Sequence, residues 1–336
     1  MRVRTGRARH QIWVFPVRVH TFHGVLASWD GTRLVDRLYV PRDVFASSIE
    51  LSAKKYVGMQ SCGPDDAALT VDDSTIAGAE ACLIARQFGH EVTLFLNPHQ
   101  IITQTPYFFT ILNLAIDSLA ARAHRSDPNV TWRSPKLREL RSQTRSRLMH
   151  LSGAALESEL RQFLSVWDLE MPNIPEEHRP LDMVMLAQLV AAGVQIGNHG
   201  WSHADISRFS EEGLWDDISQ AQQWLRDATG QRVDLYAVPF GLATPPDTVL
   251  QRLGGLCLLV DTDRPAGKLS RGLVNRVDIT DTIAAKPVEA DPSPMGRPTT
   301  RSPRLTLKRR AALSVIVGLI AAGIVLMLLT FRHLPA

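Results

Sequence analysis

The stretch Ala67–Pro98, AALTVDDSTIAGAEACLIARQFGHEVTLFLNP, decides how this chain folds. Its apolar run ALTV ends at Asp72-Asp73 and has the length of a buried strand. From Thr75 to Phe88 the apolar residues Ala79, Leu83, Ile84 and Phe88 recur at helical spacing, and Gly89 supplies the stop. EVTLFLNP then reads as a second buried strand. Strand, helix, strand in that order is a βαβ unit, so the two strands run parallel in one sheet.

Working outward, the same rhythm returns near residue 181. DMVMLAQLVAAG reads as a helix ended by Gly193, and VQIGNHGWSH as a strand running into a polar turn. SEEGLWDDISQAQQWLRDATG is an amphipathic helix with Ser210 as N-cap and Leu214, Ile218, Ala221 and Leu225 on one face. RVDLYAVPFG, a helix over Asp247–Leu253, LCLLVDTD and GLVNRVDIT supply the remaining alternation. Upstream, between about 33 and 57, RLVDRLYV and SSIELS read as short strands. The alternation breaks over about 103–179, where TQTPYFFTILNLAIDSLAARAH and SGAALESELRQFLSVW are helical and flank an Arg/Ser-rich stretch, 133–147. This is a helical insertion; its basic stretch reads as a solvated helix face, with contact to a phosphate-bearing substrate as the other reading.

Composition bounds the answer. The chain has 336 residues with 45% apolar and 21% charged residues, which suits a globular protein with a sizeable core and excludes disordered or collagenous classes. A net charge of +3 gives too weak a field to recruit nucleic acid, so none is expected as a partner. Three widely spaced cysteines, Cys62, Cys82 and Cys257, support neither a disulfide framework nor a thiolate zinc site.

The two ends differ. The basic N-terminus shows no export signal, because its apolar run Ile12–Val17 is short and broken. Ala311–Phe331, AALSVIVGLIAAGIVLMLLTF, carries no charge, and as a helix its length of about 31 Å matches a bilayer core. Lys308, Arg309 and Arg310 precede it, so the positive-inside rule leaves the preceding domain in the cytoplasm, anchored by a single C-terminal transmembrane helix in contact with membrane lipid. The expected domains are an N-terminal arm with opening strands over 1–50, a barrel over 51–281, a Pro-rich basic linker over 282–310 and the span over 311–331.

Three candidate functional places each follow a predicted strand, where α/β barrels build active sites. They are Thr70-Val71-Asp72-Asp73, His199-Gly200-Trp201-Ser202-His203 and Pro239-Phe240-Gly241. Taken singly they are weak, since chance alone places about 0.4 His-x-x-x-His pairs in a chain with 11 histidines. Together they form a pattern: one carboxylate and two imidazoles can share a divalent ion and leave coordination positions open for catalysis. The neighbouring carboxylate of the Asp72-Asp73 pair can then act as base toward a water.

On these residues the chain resembles the polysaccharide deacetylases (NodB homology domain, carbohydrate esterase family 4). TVDDS is similar to their T-F-D-D-G motif, NHGWSH to H-[ST]-x-x-H, VPFG to the end of R-x-P-[FY]-G, and LVDTD and NRVDI to the last strands, over about Leu51–Thr280. The resemblance implies an α/β fold, a distorted (β/α) barrel, and metal-dependent hydrolysis of an N-acetyl or O-acetyl group on an amino sugar or glycoconjugate. It implies Asp73, His199 and His203 as ligands of a divalent ion, zinc with cobalt as another option, and Asp72 as general base. Phe240 would give its backbone N–H to the oxyanion, Pro239 would shape that turn, and Asn198 and Ser202 would order the histidines.

The departures define two readings. Ala237 stands where the family motif has Arg, the late His that serves as general acid has no counterpart in GLVNRVDIT, and Val71 and Ser74 replace Phe and Gly. His99 or an insertion residue is left to donate the proton. The first reading is an active, membrane-tethered deacetylase, and the alternative is a weak or inactive carbohydrate-binding or scaffold barrel at the membrane.

Overall fold

A computed structural model of the protein describes residues 18–284 except 53, 64, 242, 261–263, 265 and 271. The chain opens with strand β1 (Arg18–Phe22), a two-residue pair β2 (Val25–Leu26) and β3 (Val40–Pro41), and helix α1 (Arg42–Glu50). The deciding stretch folds as read, into β4 (Ala67–Asp72), α2 (Ile76–Gln87) and β5 (Thr93–Leu96), with the Thr75 side chain accepting the Gly78 N–H as N-cap. A short α3 (Pro98–Thr103) leads into the insertion helices α4 (Phe108–His124), α5 (Pro135–Met149) and α6 (Gly153–Val166). Then come α7 (Met183–Ala191), β6 (Gln195–Asn198), α8 (Glu211–Thr229), β7 (Leu235–Ala237), α9 (Asp247–Leu253) and β8 (Leu256–Leu259). The described chain ends with β9 (Gly267–Ser270), β10 (Leu273–Asn275), β11 (Val277–Asp278) and α10 (Thr280–Ala284).

Strand order in the main sheet is β11-β1-β4-β5-β6-β7-β8-β10-β9, parallel except for β9 against β10. Because β10 pairs with β8 and β11 pairs with β1, the segment Leu273–Asp278 bridges the two open flanks and nearly closes a parallel α/β barrel. The backbone completes the seam: Arg276 N–H donates to the Leu259 carbonyl at 2.9 Å, and Ile279 N–H donates to Thr21 at 3.0 Å. Arg276 is the hinge of this bent segment.

Two expectations need correction. SSIELS is not a strand: Ser47–Glu50 lie in α1, because Phe45 and Ile49, four residues apart, form one buried helical face over the core shared with α2. The N-terminal segment is also more than an arm, since β1 pairs along its whole length with β4, from Arg18↔Ala67 to Phe22↔Val71. Its polar residues hide it as a strand, yet they are satisfied inside the fold: His20 Nδ1 bonds the Tyr56 hydroxyl at 2.9 Å and Thr21 accepts from Arg276. The barrel thus begins near residue 18 rather than 51.

The insertion is helical as expected and has its own apolar cluster, built by Leu112, Ile116, Leu148, Leu160 and Phe163 with Leu34. Asp117 fastens it to the barrel side by accepting the Leu34 and Val35 N–H groups at 2.7 and 3.0 Å. All three cysteines are buried and free. Among the described residues no helix is long and apolar enough to cross a membrane, and the predicted span over 311–331 lies outside them.

Candidate metal centre

Each of the three predicted places lies at the C-terminal end of a parallel strand, and the barrel brings them together. Asp72 ends β4 with Asp73 next in the chain, His199 follows β6, and Pro239-Phe240 lie just beyond β7. Asp73, His199 and His203 are all buried, and their ligand atoms lie within 4.8 Å of one another. His203 Nε2 is 3.3 Å and His199 Nε2 3.7 Å from Asp73 Oδ1. Ligand atoms around a tetrahedral ion at about 2.1 Å would be separated by about 3.4 Å, so these spacings fit a zinc-sized site.

The donor chemistry fits as well. His199 Nδ1 lies 2.8 Å from the Ala237 carbonyl, which can only accept, so Nδ1 carries the proton and Nε2 offers its lone pair to the site. Asp73 Oδ1 and His203 Nδ1 are buried with no hydrogen-bond partner. Burial raises the Asp73 carboxyl, against the opposing charges of His23 and His199, and it drives His203 well below the usual imidazole range. A buried carboxylate converging with two buried imidazoles is an arrangement that a divalent cation compensates.

The backbone is bent to make this cluster. Among the described residues, five non-glycine positions have positive φ, and three of them are Asp73 (74°), His203 (59°) and Phe240 (62°). Left-handed backbone at such residues persists only where the surroundings hold it. Gly200, at φ 76°, turns the chain between the two histidines where a Cβ would come within 2.9 Å of Asp217 Oδ2. Asp217 Oδ2 also accepts the Trp201 N–H at 3.0 Å; burial nonetheless pushes its carboxyl up to about 6.

Four residues that the sequence did not single out complete the site. Arg276, fully buried, clamps Asp72 with two 2.7 Å hydrogen bonds, Nη1 to Oδ1 and Nη2 to Oδ2. Its Nη1 also bonds Thr21 Oγ1 and Thr70 Oγ1, each at 3.1 Å. Burial alone would raise the Asp72 carboxyl, but the Arg276 guanidinium, with His199 and His23 adding to it, holds it well below the ordinary range and ionised. Arg276 therefore occupies the role left vacant by Ala237, from the closing strand rather than from β7. The clue was its position in NRVDI, at the end of the last predicted strand.

His23 is the second. It follows β1, beside β11, and its charge acts on Asp72, Asp73 and His203. Its Nδ1 is buried and has no hydrogen-bond partner. Gly24 makes this placement possible: at φ 141° it lies so close to α2 that a Cβ would be 2.5 Å from the Ala77 carbonyl carbon. His99, one of the candidates left to donate a proton, gives its backbone N–H to the Trp201 carbonyl at 3.0 Å.

Asn97 and Tyr107 are the third and fourth. The Tyr107 hydroxyl accepts the Ser74 N–H at 2.7 Å and donates to Asn97 Oδ1 at 2.8 Å, while Asn97 Nδ2 donates to the His199 and Gly200 carbonyls. This network ties the carboxylate turn to the histidine turn. Asn198 acts more locally, accepting the Gly200 N–H at 2.8 Å, and Ser202 contributes a carbonyl to Gln100 Nε2. Around His203, aromatic rings close the site: Phe240 at 4.6 Å, Phe109 at 5.3 Å and Tyr107 at 5.4 Å between centroids. Two of these rings come from the insertion, so the insertion forms a wall of the site. Among the described residues the Phe240 N–H has no hydrogen-bond partner.

A sequence model of the polysaccharide deacetylase family matches residues 61–254, more than half of the chain. The chain belongs to that family, whose members are hydrolases acting on amide bonds of acetylated sugars. No curated protein matches the sequence. Similar solved structures include IcaB from Ammonifex degensii, with 15% identity, 80% of this chain and 93% of that chain covered, and a TM-score of 0.47. The Streptococcus pyogenes deacetylase PplD in complex with acetate has 12% identity, 79% and 92% coverage and a TM-score of 0.46. The BpsB deacetylase domain from Bordetella bronchiseptica has 13% identity, 78% and 94% coverage and a TM-score of 0.43.

The ligand set makes a direct prediction. His203→Ala and Asp73→Ala should each keep less than about a tenth of the wild-type zinc after dialysis, because two ligands hold a divalent ion poorly in water. Elemental analysis of the three proteins checks this, and wild-type metal content unchanged by both substitutions would rule the cluster out.

Proposed function

We propose that the protein is a divalent-metal-dependent deacetylase that hydrolyses the N-acetyl group of an amino sugar or sugar-linked intermediate, with zinc as the resident ion. The observation that carries this reading is the convergence of Asp73, His199 and His203 beside a separately clamped, ionised Asp72. An ion held by the three ligands would lower the pKa of a water and polarise the substrate carbonyl. Asp72, kept deprotonated and aimed by Arg276, takes the proton from the attacking water. The free Phe240 N–H, presented by the turn that Pro239 begins, donates to the oxygen on which negative charge develops. His23 gives a proton to the departing amine. Tyr107, Phe109 and Phe240 limit bulk water around the reacting carbonyl.

The inactive-barrel reading drew its weight from two gaps, the missing Arg and the missing late His. Arg276 and His23 supply both chemistries from other strands, which favours the active reading. Acetate release from N-acetylated sugars tests it: with metal retained, Asp72→Asn should lower kcat by about 10² to 10⁴ and His23→Gln by about 10². Unchanged turnover in Asp72→Asn would exclude it as base.

The proposal extends to a tether at the membrane. The uncharged run Ala311–Phe331 and the preceding Lys308-Arg309-Arg310 support a single C-terminal span with the barrel on the cytoplasmic side, where its substrate would be a biosynthetic intermediate rather than a finished wall polymer. Protease added to intact spheroplasts should then spare the barrel, and its digestion from outside would overturn the orientation.

A further inference from the structure

The mechanism leaves the arginines of the insertion unused. α5 carries Arg141 and Arg145, one turn apart and therefore on one face, both half-buried. The Arg145 guanidinium lies over the Phe240 ring, 5.3 Å from its centroid, and Phe240 packs edge-on against His203 at 4.6 Å. This bounds the distance from the Arg145 guanidinium to the His203 ring at about 10 Å, the reach of one acetylated hexosamine.

Neither cation is fully matched by the protein. Among the described residues Arg145 has no hydrogen bond or ion pair; Asp205 acts on it only through longer-range charge. Arg141 gives Nε to Asn113 Oδ1 at 2.9 Å and leaves its terminal N–H groups uncommitted. Burial pushes Arg141 down to about 10, and the like charges of Arg145 and Arg37 push the same way. Two half-buried guanidiniums on one helix face, with one acid acting at longer range on Arg145, are costly at the rim of a partly buried site unless an anion joins them. A guanidinium fork pre-oriented on an aromatic face suits an oxyanion with several acceptors, and the local charge excess suits a phosphate better than a single carboxylate.

We propose that Arg145 and Arg141, with Arg37 adding charge, form a phosphate-reading subsite beside the metal centre, so that the acetylated sugar is a phosphate or diphosphate ester. The inference rests on the deacetylase reading and names its substrate class. The ester could be a nucleoside diphosphate sugar or a polyprenyl-linked sugar, which share this chemistry.

The test measures binding by calorimetry and acetate release on the full-length zinc-loaded protein. The probes are N-acetylglucosamine, its 1-phosphate, its uridine diphosphate and short-chain prenyl diphosphate esters, and N-acetylmuramic acid as the carboxylate control. The phosphate esters should bind roughly tenfold to a hundredfold more tightly than the neutral sugar, the scale of one or two charge-assisted hydrogen bonds. Arg145→Met and Arg141→Met should each remove most of that preference, Arg145→Lys should keep part of it, and Lys136→Met, exposed on the opposite side of α5 from Arg145, should keep all of it. Whichever diphosphate ester binds better identifies the source. Equal affinity for neutral and phosphorylated sugars, a preference that survives in the Arg141→Met/Arg145→Met protein, or a stronger preference for the carboxylate sugar would overturn the subsite. Acetate release without phosphate preference refutes the subsite alone. Arginine-dependent phosphate binding without acetate release from any probe supports the subsite and refutes the deacetylase reading.

Discussion

The bidentate pair between Arg276 and Asp72 is the interaction on which the rest of the structure depends. It lies inside the barrel at the seam where Leu273–Asp278 passes from β8 to β1, and it ties that segment to three strands, to β1 through Thr21, to β4 through Thr70 and Asp72, and to β8 through the Leu259 carbonyl. A buried pair of this kind contributes little beyond what it cost to desolvate, but losing one partner leaves an uncompensated charge worth about 3 to 5 kcal/mol. The closure of the barrel and the ionisation of the candidate base are therefore one fact. Ala237 lies in the same apolar cluster as Phe95 and Leu258 inside the barrel.

From that seam the site is built in layers. The ends of the parallel strands deliver carboxylates and imidazoles to one rim. Left-handed backbone at Asp73, His203 and Phe240 turns them inward, and the Asn97–Tyr107 network fixes one turn against another. The insertion covers this rim with Tyr107, Phe108 and Phe109, and it places arginines next to the covering rings. A three-helix insertion with its own core does this with the start of α4 and one face of α5 at the site.

Much of this was legible in the sequence, for identifiable reasons. The apolar strands β4 and β5 and the capped helices α2 and α8 declare themselves by periodicity and by Thr75, Ser210 and glycine stops. Asp72, Asp73, His199 and His203 were legible because paired acids and spaced histidines end such strands. What stayed hidden shares one cause: polar side chains inside the barrel. Thr21 and His20 make β1 look like a basic tail, Arg276 breaks the apolar run of the closing strand, and His23 stands far in sequence from every partner it meets in space. Parallel pairing of β1 with both β4 and β11 makes that long-range meeting, and no local pattern encodes it. α1 is hidden because SSIELS on its own alternates like a strand, and only with Phe45, which shares its buried face, does the helical spacing show.

Arg276 holds the candidate base Asp72 in a two-pronged contact, while position 237 carries only Ala. The most direct measurement is kcat for acetate release by zinc-loaded Arg276→Lys, which keeps the charge but cannot make the two-pronged contact. A fall of about 10²-fold with metal content unchanged is expected, the scale seen when a catalytic group loses its aim. Wild-type kcat in that variant would contradict it.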